Sequence, residues 1–165
     1  MGEQSRANDE SAATFPQEII DEYSDTDLLS LFSAGDLGTR MGLKVVEASA
    51  ERVVATMPVE GNTQPYGLLH GGASAVLAET LGSIGAMLHG GRGRIAVGVD
   101  LNCTHHRGAR AGVVTGVATP LHRGRSTATY EIVITDEQEK RVCTARLTCL
   151  LQKGDGTGFM ARKGA

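Results

Sequence analysis

The sequence predicts an α+β fold in which a curved antiparallel sheet wraps around one long, buried helix. Three observations lead there. A run of small and apolar residues at helical spacing, GLLHGGASAVLAETLGSIGA (67–86), sits inside the chain. Two strand-like runs precede it and four follow, all dense in β-branched residues. Several of these runs are joined by connections short enough for antiparallel neighbours.

The elements follow in order. Residues 1–24 are mostly polar or charged, show no sustained period, and read as a flexible leader. Ser24 or Asp25 caps a short helix through LLSLF that stops near Gly35. GLKVVEAS and ERVVATMPV then form a hairpin, and Thr63 to Leu69 is a loop delivering the chain to the central helix. Beyond the glycine-rich HGGRGR (89–94) come four strands: IAVGVDLNCTHH, AGVVTGVATPLH, STATYEIVITD and RVCTARLTCLLQ. DEQEK (136–140) is a hairpin turn, and Arg107–Gly112 reads as another. The expected organisation is a leader over 1–24, one folded domain over 25–152 and a loose, glycine-rich tail over 153–165.

Composition sets the outer bounds. At 165 residues the chain is one domain by length, with enough residues to bury a core. A net charge of −3 argues against a dedicated nucleic-acid binder. No spanning apolar run and no export leader are expected, which points to a cytoplasmic protein without a membrane segment. Three cysteines without CxxC spacing read as reduced core thiols. With no Trp and only three Phe and three Tyr, the core is filled by Val, Leu, Ile and Ala.

The chemistry concentrates on the central helix. Ala75, Glu79, Gly82, Ser83 and Ala86 fall on one stripe, with Leu77, Leu81, Ile84 and Leu88 roughly opposite. Two such stripes predict a helix buried on both faces. A lone ionised Glu79 in that setting is costly unless compensated, the kind of cost that function explains. The plainer alternative is a partly exposed Glu paired with an Arg. Ser83 lies one turn along, within reach of Glu79 or of a water it holds; it also reads as a small residue for close packing. If the helix starts at His70, the N–H groups of Gly71 and Gly72 lack intrahelical partners and offer donors to a developing oxyanion. Gln64 in the preceding loop adds a side-chain N–H. A tight loop-to-helix junction is the plainer alternative for HGG.

Other candidates are weaker. His105 and His106 are adjacent in a strand and point to opposite faces, which counts against a shared metal. No metal site is expected from the five histidines, which show neither HExxH nor zinc spacing with cysteine. His89 suits a helix C-terminus. HRGRST (122–127) sets two arginines and two hydroxyls where they hold phosphates, or simply form a solvated turn. GGRGR (90–94) follows a helix rather than a strand, unlike a phosphate loop.

Taken together, QPYGLLHGGASAVLAETLGS, LNCTHHR, PLHRGR and YEIVITDEQEKRVCTARL resemble the hotdog-fold acyl-CoA thioesterases of the phenylacetate-type subfamily. The resemblance covers about residues 38–151 and lies in the branch of the enterobactin-synthesis proofreading thioesterase and the 1,4-dihydroxy-2-naphthoyl-CoA hydrolase of menaquinone synthesis. It implies Glu79 as catalytic carboxylate, either nucleophile or general base. It implies that the Gly71 N–H and Gln64 polarise the thioester carbonyl, and that His70 and Ser83 orient donors, water or leaving group. His105 matches an acyl-pocket residue; Arg125, Ser126 and Thr127 match positions that contact the CoA nucleotide. One departure is His-Arg-Gly-Ala (106–109), where relatives carry Arg-Pro.

The expected activity is hydrolysis of an aromatic or bulky acyl-CoA by a homo-oligomer, a dimer of dimers with sites between chains. CoA is part of the substrate and no separate cofactor is expected. The alternatives are a proofreading thioesterase for acyl groups on a carrier protein, and a non-catalytic acyl-CoA sensor. A hotdog hydratase would want a His-Asp or His-Glu pair, and a sensor would tolerate loss of the carboxylate.

Overall fold

The computed structural model describes residues 35–154. The leader, the helix expected through LLSLF and the tail beyond Gly154 lie outside them. The described chain opens on a short helix, α1 (Gly35–Arg40), and continues as β1 (Lys44–Ala48), β2 (Val53–Pro58), the long helix α2 (Gly71–Gly90), β3 (Arg94–His105), β4 (Val113–Arg123), β5 (Thr127–Thr135) and β6 (Arg141–Lys153). The six strands form one sheet in the order β1-β2-β4-β5-β6-β3, with every pairing antiparallel. This is the hotdog fold, with α2 lying on one face of the sheet.

Alternation drives the sheet. Along β5 every second residue is buried, Ala128, Tyr130, Ile132 and Ile134, and β6 contributes Cys143, Ala145, Leu147, Cys149 and Leu151. Those inward side chains meet Leu77, Ala78, Leu81 and Ile84 of α2 and make one core. Bulges bend the sheet around the helix, between Pro120 and His122 in β4 and between Gly98 and Asp100 in β3. The β4 bulge also accommodates a proline inside a strand.

Helix and sheet approach closely because α2 carries glycine where the sheet carries bulk. A Cβ on Gly85 would stand 2.6 Å from the Tyr130 ring. That ring is wholly buried, and its hydroxyl donates to the Ala50 carbonyl at 2.7 Å, tying the β1–β2 turn to the core. Burial pushes the Tyr130 phenol well above its ordinary pKa.

Two expectations are corrected. Arg107–Gly112 is not a hairpin turn. β3 and β4 are not neighbours, and the segment crosses from the β3 edge back to the middle of the sheet. It passes under the entry to α2, where Leu69 N–H donates to the Ala109 carbonyl (2.7 Å). Short loops suggest hairpins only when the two strands have free facing edges, and here β2 and β5 occupy both edges of β4. Nor is α2 buried on both faces within this chain. Leu77, Leu81, Gly82, Gly85 and Ala86 are buried, whereas Ala75, Glu79, Ser83 and Leu88 are only partly covered. A single sheet layer can cover one side of a helix; the other side waits for something else.

The Gly85–Tyr130 contact makes Gly85→Ala an overpacking change, expected to destabilise the fold by about 1–3 kcal/mol although Ala is the better helix former. Urea unfolding followed by circular dichroism checks this; unchanged or higher stability would contradict it.

Candidate active site

The entry to α2 is held by a lattice of short-range bonds. Asn62 is its centre: its side-chain amide donates to the carbonyls of Met41 (2.8 Å) and Pro58 (2.9 Å), and its own carbonyl accepts from His70 N–H (2.8 Å). His70 is the N-cap of α2, with extended backbone, and its Nδ1 accepts from Gly72 N–H at 2.8 Å. That corrects one expectation, because the Gly72 donor is consumed by the cap. The Gly71 N–H is left without a partner among the described residues, at the positive end of a 20-residue helix.

Gln64 lies half-buried in the same loop. Its Oε1 accepts from Tyr66 N–H at 2.5 Å, which directs the Nε2 hydrogens away from the loop as free donors. His105, at the end of β3, stands against Gly71: a Cβ there would come within 2.9 Å of the imidazole Nε2. His106 faces the other way and bonds the Thr144 hydroxyl at 2.9 Å. His70, Gly71, Gln64 and His105 thus gather at one end of the helix.

Glu79 lies two turns further along. Its carboxylate rests on the β3 backbone at Gly98, with no cation from the described residues paired to it. Burial raises its pKa above the ordinary carboxylate value of 4.5. Ser83, one turn on, is set against the Cys149 thiol, whose own pKa burial pushes up to about 11. Cys103, Cys143 and Cys149 are all free thiols.

At the far end of α2 a cleft of about 640 Å³ is lined by Arg92, Gly93, Arg94, Arg125, Ser126, Lys153 and Gly154. Arg125 and Ser126 are therefore brought together as expected for an anion site, but Thr127 is not among the lining residues. It begins β5, and its carbonyl is bonded to Gly124 N–H. His89 fixes this corner, with Nε2 2.9 Å from the Gly124 carbonyl. The cleft owes Arg92 and Arg94 to the GGRGR segment, whose sequence context spoke against a phosphate loop; the strand that delivers Lys153 is distant in sequence.

The comparisons with known proteins fit this arrangement. A family model described as the thioesterase superfamily matches residues 66–143, a span that includes the α2 entry, Glu79 and β3 to the start of β6. The chain is 47% identical over 121 residues to the proofreading thioesterase EntH of Cronobacter turicensis, covering 73% of this chain and 88% of the relative. The chain belongs to the thioesterase superfamily. A putative esterase of Deinococcus radiodurans is 51% identical over 116 residues, 70% of this chain and 73% of its own. Among solved structures, a thioesterase from Haemophilus influenzae superposes with a TM-score of 0.73 at 34% identity, covering 86% of this chain and 96% of the other.

A thioesterase must polarise a thioester carbonyl and deliver an oxygen nucleophile to it. The α2 entry offers donors and Glu79 offers the carboxylate. Reading the sequence alone overlooked Asn62, Gly98 and Lys153 and set Arg94 aside with GGRGR. The β3–β6 pairing, which has no local signature, brings Arg94 and Lys153 together, and the packing of α2 on β3 brings Gly98 to Glu79.

Glu79 carries a testable cost. Its native pKa is raised, so between 4.5 and that raised value the folded state holds more protons than the unfolded one, and stability falls as pH rises through this window. Glu79→Gln removes the charge. The variant is expected to unfold at a higher temperature than the parent above the window, the gap closing below pH 4.5. Thermal melts from pH 4 to 8 read this out; a variant less stable than the parent at pH 8 would overturn it.

Proposed function

We propose that this thioesterase hydrolyses aromatic or other bulky acyl-CoA esters, with Glu79 as nucleophile or as general base toward water, at sites formed between two chains. The observation that carries the reading is the separation of the two halves of the machinery. Gly71 and Glu79 are eight residues apart, about 12 Å along the helix axis, and a Glu side chain does not close that gap to a shared carbonyl. One chain alone cannot place both groups on one thioester.

The edge of the sheet supplies the way out. Among the described residues β3 pairs only with β6, and its outer edge exposes Val97 (43%) and Val99 (60%) beside the half-covered Glu79 face of α2. Because β3 runs back from the C-terminal end of α2 to its N-terminal end, Gly98 lies level with Glu79 and His105 level with Gly71. Two β3 strands paired antiparallel between those points bring each Glu79 to the partner copy's helix entry. There Gly71 N–H and Gln64 Nε2 hold the carbonyl oxygen as it gains charge, His70 keeps the helix entry in shape, and His105 borders the acyl group. Glu79 attacks the carbonyl carbon, expelling the CoA thiolate and leaving a mixed anhydride that water then cleaves, or it takes a proton from the water that attacks; Ser83 holds that water or the departing sulfur. The products are the free acid and CoA. A homotetramer built from two such dimers, a cytoplasmic setting and a place in menaquinone synthesis are part of this reading.

The basic cleft suits the phosphates of CoA: Arg94, Arg125, Lys153 and Ser126 converge, with no acidic side chain in its lining. A second reading, acyl groups borne on a carrier protein, draws support from the proofreading relatives.

Free-thiol release from benzoyl-CoA, a hydroxybenzoyl-CoA, 1,4-dihydroxy-2-naphthoyl-CoA and medium- and long-chain acyl-CoA tests the assignment. Turnover of the aryl esters, lost in Glu79→Gln, is expected; turnover of only carrier-bound thioesters would favour the second reading. Mixing Glu79→Gln with Gln64→Ala subunits should restore roughly a quarter of the wild-type sites if each site draws on two chains. No recovery would place the site within one chain. Arg94→Ala combined with Arg125→Ala should raise KM for CoA esters at least tenfold, on the order of 1.4 kcal/mol, while leaving hydrolysis of an N-acetylcysteamine thioester unchanged. Equal loss on both substrates would remove the cleft from CoA binding.

A further inference from the structure

The β3–β6 pairing slips at one place. Gly98 lies opposite Cys149, and the next pair is Asp100 with Thr148, so Val99 is an extra residue bulged out of the ladder. Gly98, just before the bulge, faces α2. A Cβ built there would overlap Glu79 Oε1 and stand 3.0 Å from its carboxyl carbon. Across the ladder the Cys149 thiol meets the Ser83 hydroxyl. Glu79 and Ser83, neighbours on one helix face, thus rest on the two halves of a single strand pair.

We propose that Gly98 is a positioning residue, its missing side chain and the adjoining bulge forming the seat that fixes the height and angle of the Glu79 carboxylate. The proposal rests on Glu79 being the reacting carboxylate. The backbone at Gly98 is outside the left-handed region, so nothing in its conformation requires glycine. Glycine inside a strand weakens it, and a merely structural Gly98 would be improved by alanine. What alanine cannot do is leave the carboxylate where it is. A methyl group would push the carboxylate away from the strand, and a displacement near 1 Å at a reacting group is enough to cost about 100-fold in rate.

Steady-state kinetics on benzoyl-CoA with the full chain, alongside thermal unfolding, test this in Gly98→Ala, Glu79→Gln, Glu79→Asp and the Gly98→Ala/Glu79→Asp double variant. Gly98→Ala is expected to lower kcat by about 100-fold, with KM within about threefold and an unchanged or higher unfolding midpoint. Because aspartate is one methylene shorter and clears the new methyl, Glu79→Asp should cost far less in the Gly98→Ala background than in the parent. If Gly98→Ala keeps kcat while Glu79→Gln is inactive, the seat is wrong and the catalytic carboxylate stands. If Glu79→Gln is active, both fall. Should alanine lower the midpoint, the cycle still decides: additive losses would overturn the seat, and strong coupling would support it.

Discussion

The structure depends on how closely α2 can lie against the inner face of the sheet. Gly85 over the Tyr130 ring brings the two layers near enough for Leu77, Leu81 and Ile84 to fill the space between them. Close packing of this kind resists small adjustments, because interiors have the density of organic crystals and transmit displacement rather than absorb it. The helix is also tied at both ends. Its N-terminus is set by Asn62, which joins three segments through one side chain and one carbonyl, and its C-terminus by His89 against Gly124. A helix so anchored holds the free Gly71 N–H at one end, the Glu79 carboxylate in the middle and the basic cleft at the other.

The electrostatics follow from that placement. Gly71 lies where the helix dipole is positive and offers an N–H that the cap leaves free. Glu79 sits far enough along the helix to escape that field and is covered by backbone instead of by a cation. Its raised pKa is a consequence of desolvation alone, so the group is kept basic without being neutralised by a salt bridge. The Arg52–Glu47 ion pair, at 3.1 Å, lies on the exposed surface at the β1–β2 end of the sheet.

Much of the architecture was legible in the chain. The strand-length runs dense in β-branched residues marked all six strands of the described region, and the HGG opening marked the start of α2, because those signals are local. The turn at 136–140 was equally plain, with Asp136 Oδ1 accepting from Gln138 and Lys140 N–H. What stayed hidden is non-local. Nothing in Arg107–Gly112 says that β4 will find its neighbours elsewhere, and nothing near Gly98 says that a carboxylate from another element will settle on it. Arg94 and Lys153 share a cleft only because β3 and β6 are paired. The helix stripe with Ala75, Glu79 and Ser83 misled for a different reason: a face of small residues calls for cover, but its sequence does not say whether the cover comes from the same chain.

The order of the strands has a consequence for synthesis. β3 is made before β4, β5 and β6, yet its one partner among the described residues is β6, the last of the described strands to appear. Until β6 emerges, β3 has no partner among the described residues on either side. Ribosomes add about 5–20 residues per second, so the nascent chain holds that unpaired strand for seconds. The run from Ile95 to Cys103 is apolar and β-branched, with Asp100 its one charged residue. In this protein the exposure of both β3 edges belongs to an interval during translation, and docking of the final strand covers one of them.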